Sequence, residues 1–414
     1  MKILLATPLY SPLVSGSARL LQDIVEHLLA SGHHVEVVTL DLPQFGDSKE
    51  FDDAQTYRIH RIRSPRFEVK GWSSIVMTIR MLTLCALRKF DIVLCGFASP
   101  TAILARAICS VTRVPYAVYT HGEDLIAARA AQRRSALSSA LQAARVVMCN
   151  SSFTASEAAW FGVPRDRILT ISPGIDPAPY LAVSTEEVDA LRTRFNLVGK
   201  KILLTLARLQ VRKGHDMVVR ALPTIAASVP DVHYLIVGKG DTARLEAIAS
   251  DLGVYDRLTV IDYVPTESLP ALFALCDVYV MASRYDPETR EVEGFGIVYL
   301  EAAACGKPSV AGNQGGCADA VVDQQTGIVV DPTDVLAIER AVIRLLSNEE
   351  ESRRMGIAGR ERICREFRKS DQLSRIEDAL LRCVGKGHRP GHVERVAGER
   401  SADATRLHSD ETKM

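Results

Sequence analysis

No stretch of this sequence reaches the roughly 18 uninterrupted apolar residues that a membrane-spanning helix needs, which leaves no helical span to build on. Nine cysteines, at 85, 95, 109, 149, 276, 305, 317, 364 and 383, include no C-x-x-C pair. That spacing excludes a zinc ribbon or a disulfide frame, and the cysteines read as reduced, buried small hydrophobes of a cytosolic protein. Neither sign of charge is in excess: Lys+Arg and Asp+Glu both number 50, which argues against wholesale nucleic-acid binding. The patterns D-x-D, H-E-x-x-H, G-x-x-x-x-G-K-[ST] and G-x-S-x-G are all missing. Chemistry built on a tightly held metal, a P-loop or a nucleophile elbow therefore has no sequence basis. The start, MKILLATP, has one Lys and too short an apolar run for a signal-peptide core. The expectation is a cytoplasmic protein, touching a membrane at most peripherally, from its cytoplasmic side.

What is present is enough chain for more than one core. The 414 residues, 47% apolar and 24% charged, suit two or three globular domains at about 150 residues each. Short apolar runs alternate with segments of helical period, the pattern of a parallel sheet covered by helices. Strands are expected at 2–7, 35–39, 92–96, 116–120, 146–150 and 169–171. After the first, Leu20, Leu21, Ile24, Val25, Leu28 and Leu29 share one helical face, and Gly32 ends the helix. The stretch Ser172-Pro173-Gly174-Ile175-Asp176-Pro177 breaks both periods and suits a hinge. A second series of strands follows at 201–207, 233–238, 258–261, 278–282, 309–311 and 328–330. The fold class is α/β: two doubly wound Rossmann-like domains, 1–175 and 176–384, the last helix free to pack back on the first domain. Residues 385–414 have no aromatic side chain and no apolar periodicity, the composition of a disordered tail.

Several polar constellations fall where strands end. Glu293 and Glu301 lie eight apart in EVEGFGIVYLEAAACG, with a helix expected from near Phe295. Glu293 precedes its N-terminus and Glu301 lies inside it, beside the free N–H groups of Gly296, Ile297 and Val298, an arrangement suited to an anion. A carboxylate that merely favours the helix dipole is the plainer account. Arg208 and Lys213 follow the strand 201–207, at the carboxyl edge where open α/β sheets bind ligands, and suit a diphosphate. A solvated basic turn explains them equally simply. Gly16 and Ser17 close the first strand-to-helix loop, where glycine allows close backbone approach; a connecting turn with Ser17 as N-cap is the alternative. His121-Gly122-Glu123-Asp124 follows the strand 116–120, a polar cluster that is a candidate for work at a sugar or a proton, with His121 as a structural histidine the alternative. Gly238-Lys239-Gly240-Asp241-Thr242-Ala243 fits G-x-G-x-x-A with Asp262 about twenty residues on, a dinucleotide-binding pattern. It follows the second strand of its domain rather than the first, which weakens a dehydrogenase reading.

Over about the first 370 residues these motifs together resemble the retaining glycosyltransferases of the GT-B fold, the large family that includes bacterial mannosyltransferases and glycogen and sucrose synthases. The likeness rests on ARLQVRKG, VGKGD, EGFGIVYLEAAACGKPSVAG and GGCADAVVDQQTGIVVDP in that order. VGKGD is then the family's own strand and turn. The resemblance implies that Arg208 and Lys213 bind the donor diphosphate, Glu301 the ribose hydroxyls, and Glu293 a hydroxyl of the transferred sugar. It implies that Gly16, Ser17, Gly296, Ile297 and Val298 complete the phosphate site, that His121 lies near donor sugar and acceptor, and that the base is contacted around Val264. It further implies transfer with retention, from a nucleotide-sugar substrate, with no metal and no cofactor. Two departures stand out: Ser15 replaces the first glycine of the family's Gly-Gly pair, and Asp319 the acid of its GGxxE stretch. The charged segment 285–292 is also longer than a minimal loop, and is expected to shape the sugar pocket.

HGEDL and the stretch around Glu293 look most like lipid-directed mannosyltransferases. The implied reaction is mannose transfer from GDP-mannose to a lipid-linked or polysaccharide acceptor, with a UDP-sugar donor as the alternative and a non-catalytic nucleotide-sugar-binding subunit as the alternative of another class. Residues 54–145 carry 14 Lys/Arg against 4 Asp/Glu, a net +10 that includes Arg58, Arg61, Arg63, Arg66 and Lys70 beside Phe67 and Trp72. Such a basic face suits an anionic membrane surface; charges spread over opposite faces are the alternative.

Overall fold

In the computed structural model, which describes residues 1–13, 15–42, 47–64, 72–129 and 134–385, the strands form two separate sheets. The first holds β1 (Lys2–Ala6), β2 (His34–Asp41), β3 (Arg58–Arg63), β4 (Ile92–Cys95), β5 (Tyr116–Thr120), β6 (Val147–Cys149) and β7 (Ile168–Thr170). The second holds β8 (Lys201–Leu206), β9 (Val232–Val237), β10 (Leu258–Ile261), β11 (Val278–Met281), β12 (Ser309–Gly312) and β13 (Gly327–Val330). Their orders are β3-β2-β1-β4-β5-β6-β7 and β10-β9-β8-β11-β12-β13, parallel throughout. Strands such as KILLA and VHYLIV bury residues of both faces, so helices must cover both sides of each sheet. In both sheets the direction of winding reverses beside the first strand, between β1 and β4 and between β8 and β11. Crevices for ligands open there, at the carboxyl ends.

Strand β3, RIHRIR, is absent from the expected set because arginines and a histidine alternate with its isoleucines. It lies at the edge of the first sheet, where charge discourages further strand pairing. Within the expected basic run, Arg61 is committed to Asp52, at 2.7 Å and 2.8 Å. Arg66, Phe67 and Lys70 lie outside the described residues, as does the tail expected beyond Gly385.

The helices used below are α1 (Gly16–Ala30), α2 (Trp72–Arg88), α3 (Ile103–Thr112), α4 (Glu123–Arg129), α5 (Ala178–Leu181), α6 (His215–Ser228), α7 (Ile297–Ala304), α8 (Glu349–Glu366) and α9 (Lys369–Val384). Helix α1 is capped by Ser15, whose Oγ accepts from the Ala18 N–H at 3.1 Å, and not by Ser17. Its buried face of Leu20, Leu21, Ile24, Val25 and Leu28 packs on the first sheet, each side chain contributing about 1.5–3 kcal/mol.

Helix α9 joins that same core through Leu373, Ile376, Ala379 and Leu380. Its Glu377 carboxylate accepts from His27 Nε2 at 2.8 Å, Ser31 Oγ at 2.9 Å and His33 Nε2 at 2.9 Å, all at the end of or just after α1. The chain therefore passes between the sheets twice, and the two passages are bonded to each other. Ile175 N donates to Phe367 O and Lys369 N to Ile175 O, both at 2.9 Å. Gly174 permits this approach, since a Cβ there would sit 2.8 Å from Lys369 Cα. The hinge peptide read from 172–177 is thus half of a two-strand crossing.

Candidate functional site

The loops that leave the carboxyl ends of the two sheets meet one another. After β5 come His121 and α4; after β8 come Arg208 to Gly214; after β11 come the charged segment and α7. A Cβ built on Gly16 would lie 3.8 Å from Ile297 Cδ1, which puts the β1–α1 loop against the start of α7. Gly294 sits still closer to the first sheet's loops. A Cβ there would fall 1.9 Å from His121 O and 2.9 Å from Asn150 Nδ2. Farther along the seam, Ser152 donates to Asp319 through its main-chain N–H and through Oγ, the latter at 2.7 Å. Asp319, the departure from GGxxE, therefore fastens one half to the other.

His121 is buried. Its Nε2 lies 2.9 Å from Gly96 O, and a carbonyl only accepts, so Nε2 carries the proton. Asp124 accepts from His121 N at 3.1 Å, from Thr120 Oγ1 at 2.7 Å and from Ala98 N at 2.7 Å, fixing the loop. Burial depresses the imidazole's proton affinity, against the pull of Asp124. The ring is neutral near pH 7, and Nδ1 is the nitrogen without a partner among the described residues.

Glu293 is the centre of the charge cluster. Arg212 Nη1 donates to it at 3.2 Å, and Lys213 Nζ donates to the same oxygen. Burial alone would raise this carboxyl, but Lys213 and Arg212 outweigh it and hold Glu293 below its ordinary range. Arg212, almost wholly buried, also donates from Nε to Glu291 at 3.0 Å. The charged segment is thereby a tethered hairpin: Asp286 N donates to Glu291 O at 2.9 Å, and Arg284 N to Arg212 O at 2.8 Å. From the opposite sheet Glu123 feels Arg212, Glu291 and Glu293, and burial raises its carboxyl despite Arg212. Sequence reasoning did not single out Arg212, and met Glu123 only as part of the polar HGED cluster and Glu291 only as part of the charged segment 285–292. Arg212 stood beside a lysine in a turn, and its partners are about eighty residues away.

Arg208 is exposed and unpaired among the described residues, so the two cations expected to act together differ: one is free and one is held by Glu293. Helix α7 begins at Ile297, two residues later than expected, after Gly296 at φ +90, and no side chain caps it. The N–H groups of Ile297 and Val298 are left for a ligand. One turn inside, Glu301 accepts from Tyr180 Oη at 2.6 Å, and Tyr180 belongs to α5, just past the crossing peptide. Burial raises Glu301, against the Tyr180 hydrogen bond and Arg19 of α1. Val264 packs in the second sheet's core. Among the described residues no group of three or more His, Cys, Asp and Glu is arranged to hold a metal.

Beneath the charge cluster the floor is polar. Gln210 Oε1, His215 Nε2, Ser283 Oγ and Arg284 Nη1 are buried without a protein partner, which suits hydrogen bonds to a ligand or ordered water. His215 is held neutral: burial, with Lys213 adding to it, brings the imidazole down to about 4. Unfolded chains protonate a histidine near 6.5, so acid favours the unfolded state. Stability is expected to fall as pH drops from 6.5 toward 4, with His215 contributing ~3 kcal/mol to the loss. Chemical denaturation of the wild type and of His215→Gln over that range checks this; equal slopes for both would remove His215 as the cause.

Comparison with known proteins sets these features in a family. Residues 188–362 match the family model described as Glycosyl transferases group 1, and residues 14–179 that described as Glycosyltransferase Family 4. A GDP-mannose-dependent alpha-(1-6)-phosphatidylinositol monomannoside mannosyltransferase of Mycolicibacterium smegmatis is 34% identical over 86% of this chain and 92% of its own length. The Mycobacterium tuberculosis protein of the same description is 33% identical over 92% of this chain and 98% of its own. In fold, the chain is similar to Anabaena Alr3699/HepE in complex with UDP, with a TM-score of 0.78 at 18% identity over 92% and 99% of the two chains. A glycosyltransferase from Rickettsia africae gives a TM-score of 0.78 at 19% identity, over 93% and 99%.

Proposed function

The chain belongs to the GT-B glycosyltransferase family that includes the bacterial mannosyltransferases, and from that premise we propose that it moves mannose from GDP-mannose to a lipid-linked acceptor, with retention at the anomeric carbon. Two relatives named as phosphatidylinositol mannosyltransferases align over nearly their whole length, which supports both the donor and the acceptor class. The observation that carries the site is the Lys213–Glu293 contact beside the uncapped start of α7, with Arg208 exposed five residues before Lys213.

In this reading the diphosphate lies between Arg208, Lys213 and the N–H groups of Ile297 and Val298, with Gly16 and Ser17 closing over it. Glu301, oriented by Tyr180, takes the ribose, and the base meets the main chain near Val264. As the bond from the anomeric carbon to phosphate breaks, negative charge grows on the leaving oxygen, where fixed cations and helix N–H groups stabilise it most. The acceptor hydroxyl forms the new bond from the same face, and its proton passes to the departing diphosphate. Glu293 and His121 line the sugar's side, Glu293 as an acceptor for a sugar hydroxyl.

The test is thermal unfolding with GDP, UDP, ADP and their sugar conjugates, without added metal. GDP at a hundred times its dissociation constant is expected to stabilise by about 2.7 kcal/mol, and Arg208→Ala to abolish the shift. A UDP-selective shift would replace mannose with another sugar and leave the site standing. No shift with any nucleotide would count against the enzyme itself. The anomeric signal of the product, followed by NMR before mutarotation, decides retention.

A further inference from the structure

Two side chains on the rim of the first sheet carry acceptor atoms that no donor reaches among the described residues. Glu123 opens α4, two residues after His121, and is half-buried. Its carboxylate makes no hydrogen bond or ion pair there, a state that costs free energy until a donor arrives. His121, only 7% exposed, directs its proton-bearing Nε2 at Gly96 O and keeps the lone pair of Nδ1 free.

The backbone carries both groups into the seam. A Cβ on Gly122 would lie 3.4 Å from Gly294 Cα, and Asn150 Nδ2 donates to His121 O at 3.0 Å, holding the turn. Glu123 directly follows that contact in the chain, and Glu293 directly precedes it. The charges that act on Glu123 are Arg212, Asp124, Glu291 and Glu293. Asp124 is taken up by Ala98, Thr120 and His121, and Glu291 and Glu293 by Arg212 and Lys213. Of these four carboxylates Glu123 alone has no donor among the described residues.

The chemistry of the pair limits what can lie against it. A carboxylate and the bare nitrogen of a neutral imidazole only accept, so the occupant has to bring donors. An ionised phosphate brings none, and it meets like charge from Glu123, Glu291 and Glu293. An ammonium brings donors, but the buried Arg212 already stands there as a cation. Hydroxyls of a sugar ring supply donors without charge.

We propose that Glu123, together with His121 Nδ1, receives the acceptor of the reaction, taking hydrogen bonds from ring hydroxyls next to the one that attacks. The part of the acceptor that lies against Glu123 is then a neutral polyol, and any phosphate it carries lies away from the seam. Donor-sugar hydroxyls fall to Glu293 on one side of the seam and acceptor hydroxyls to Glu123 on the other. The proposal deepens the proposed function and rests on it for the reaction. The competing role for Glu123 is that of a charge partner to Arg212.

Calorimetry on the GDP-loaded protein tests this with two probes, octyl α-D-mannopyranoside and its 6-phosphate. The wild type is expected to bind the neutral glycoside at least about tenfold more tightly than the phosphorylated one, and Glu123→Ala to weaken the neutral glycoside by about tenfold or more, as for a hydrogen bond to a charged group. Glu123→Gln keeps an acceptor oxygen and should lose only about threefold. The GDP-induced thermal shift should persist in both variants, which separates a lost acceptor contact from a lost fold or donor site. Equal losses in Glu123→Gln and Glu123→Ala would assign the carboxylate to Arg212 and overturn the proposal. So would Glu123→Ala binding the glycoside as the wild type does, or a wild type that binds GDP but favours the phosphorylated probe or takes neither. A wild type without any GDP shift fails at the donor, and overturns the proposed function along with the proposal.

Discussion

Glu293→Gln is expected to lower the transfer rate by about a hundredfold or more while leaving GDP binding as tight or tighter. Glutamine keeps the side chain's shape and one acceptor oxygen, but removes the charge that Arg212 and Lys213 now share. Freed from a carboxylate, both cations attract a diphosphate more strongly. The acceptor of the sugar hydroxyl is weakened at the same time, so binding and turnover move in opposite directions. Initial rates with GDP-mannose and calorimetry with GDP measure the two separately. An unchanged rate would put Glu293 outside the chemistry, and tighter GDP binding with cellular function intact would favour a nucleotide-sugar-binding subunit.

Gly294→Ala is expected to cost about a hundredfold in turnover with both sheets intact. The new methyl would meet His121 O at 1.9 Å, a contact on the main chain that no rotamer relieves. The halves must part or tilt, and displacement of reacting groups by even 1 Å costs on the order of 10²-fold. Far-ultraviolet dichroism and the unfolding midpoint should change little, while small-angle scattering should report a larger radius of gyration. Wild-type turnover would show that the seam is not the catalytic form.

Most of the architecture was legible because parallel strands buried on both faces are written as short apolar runs. Strand β3 was hidden by its charges, and the cap of α1 by two serines two residues apart, of which only the side chain's reach selects Ser15. At the site, Glu293, Glu301, Arg208 and Lys213 were visible as charged residues where strands end. Glu123 was visible only as one of the polar residues of HGED, and Arg212 was not, because its significance lies in burial and in partners brought together only by the fold. Tyr180 carried no signal at all until α5 placed its hydroxyl on Glu301.

The return of α9 to the first sheet has a consequence in time. During synthesis β7 leaves the ribosome ~200 residues before α9 does, roughly 10–40 s at cellular elongation rates. Over that interval the groove beside α1 that will receive Leu373, Ile376 and Leu380 stays open to water. The half of the protein that is made first is therefore finished last, its core closed only when α9 emerges.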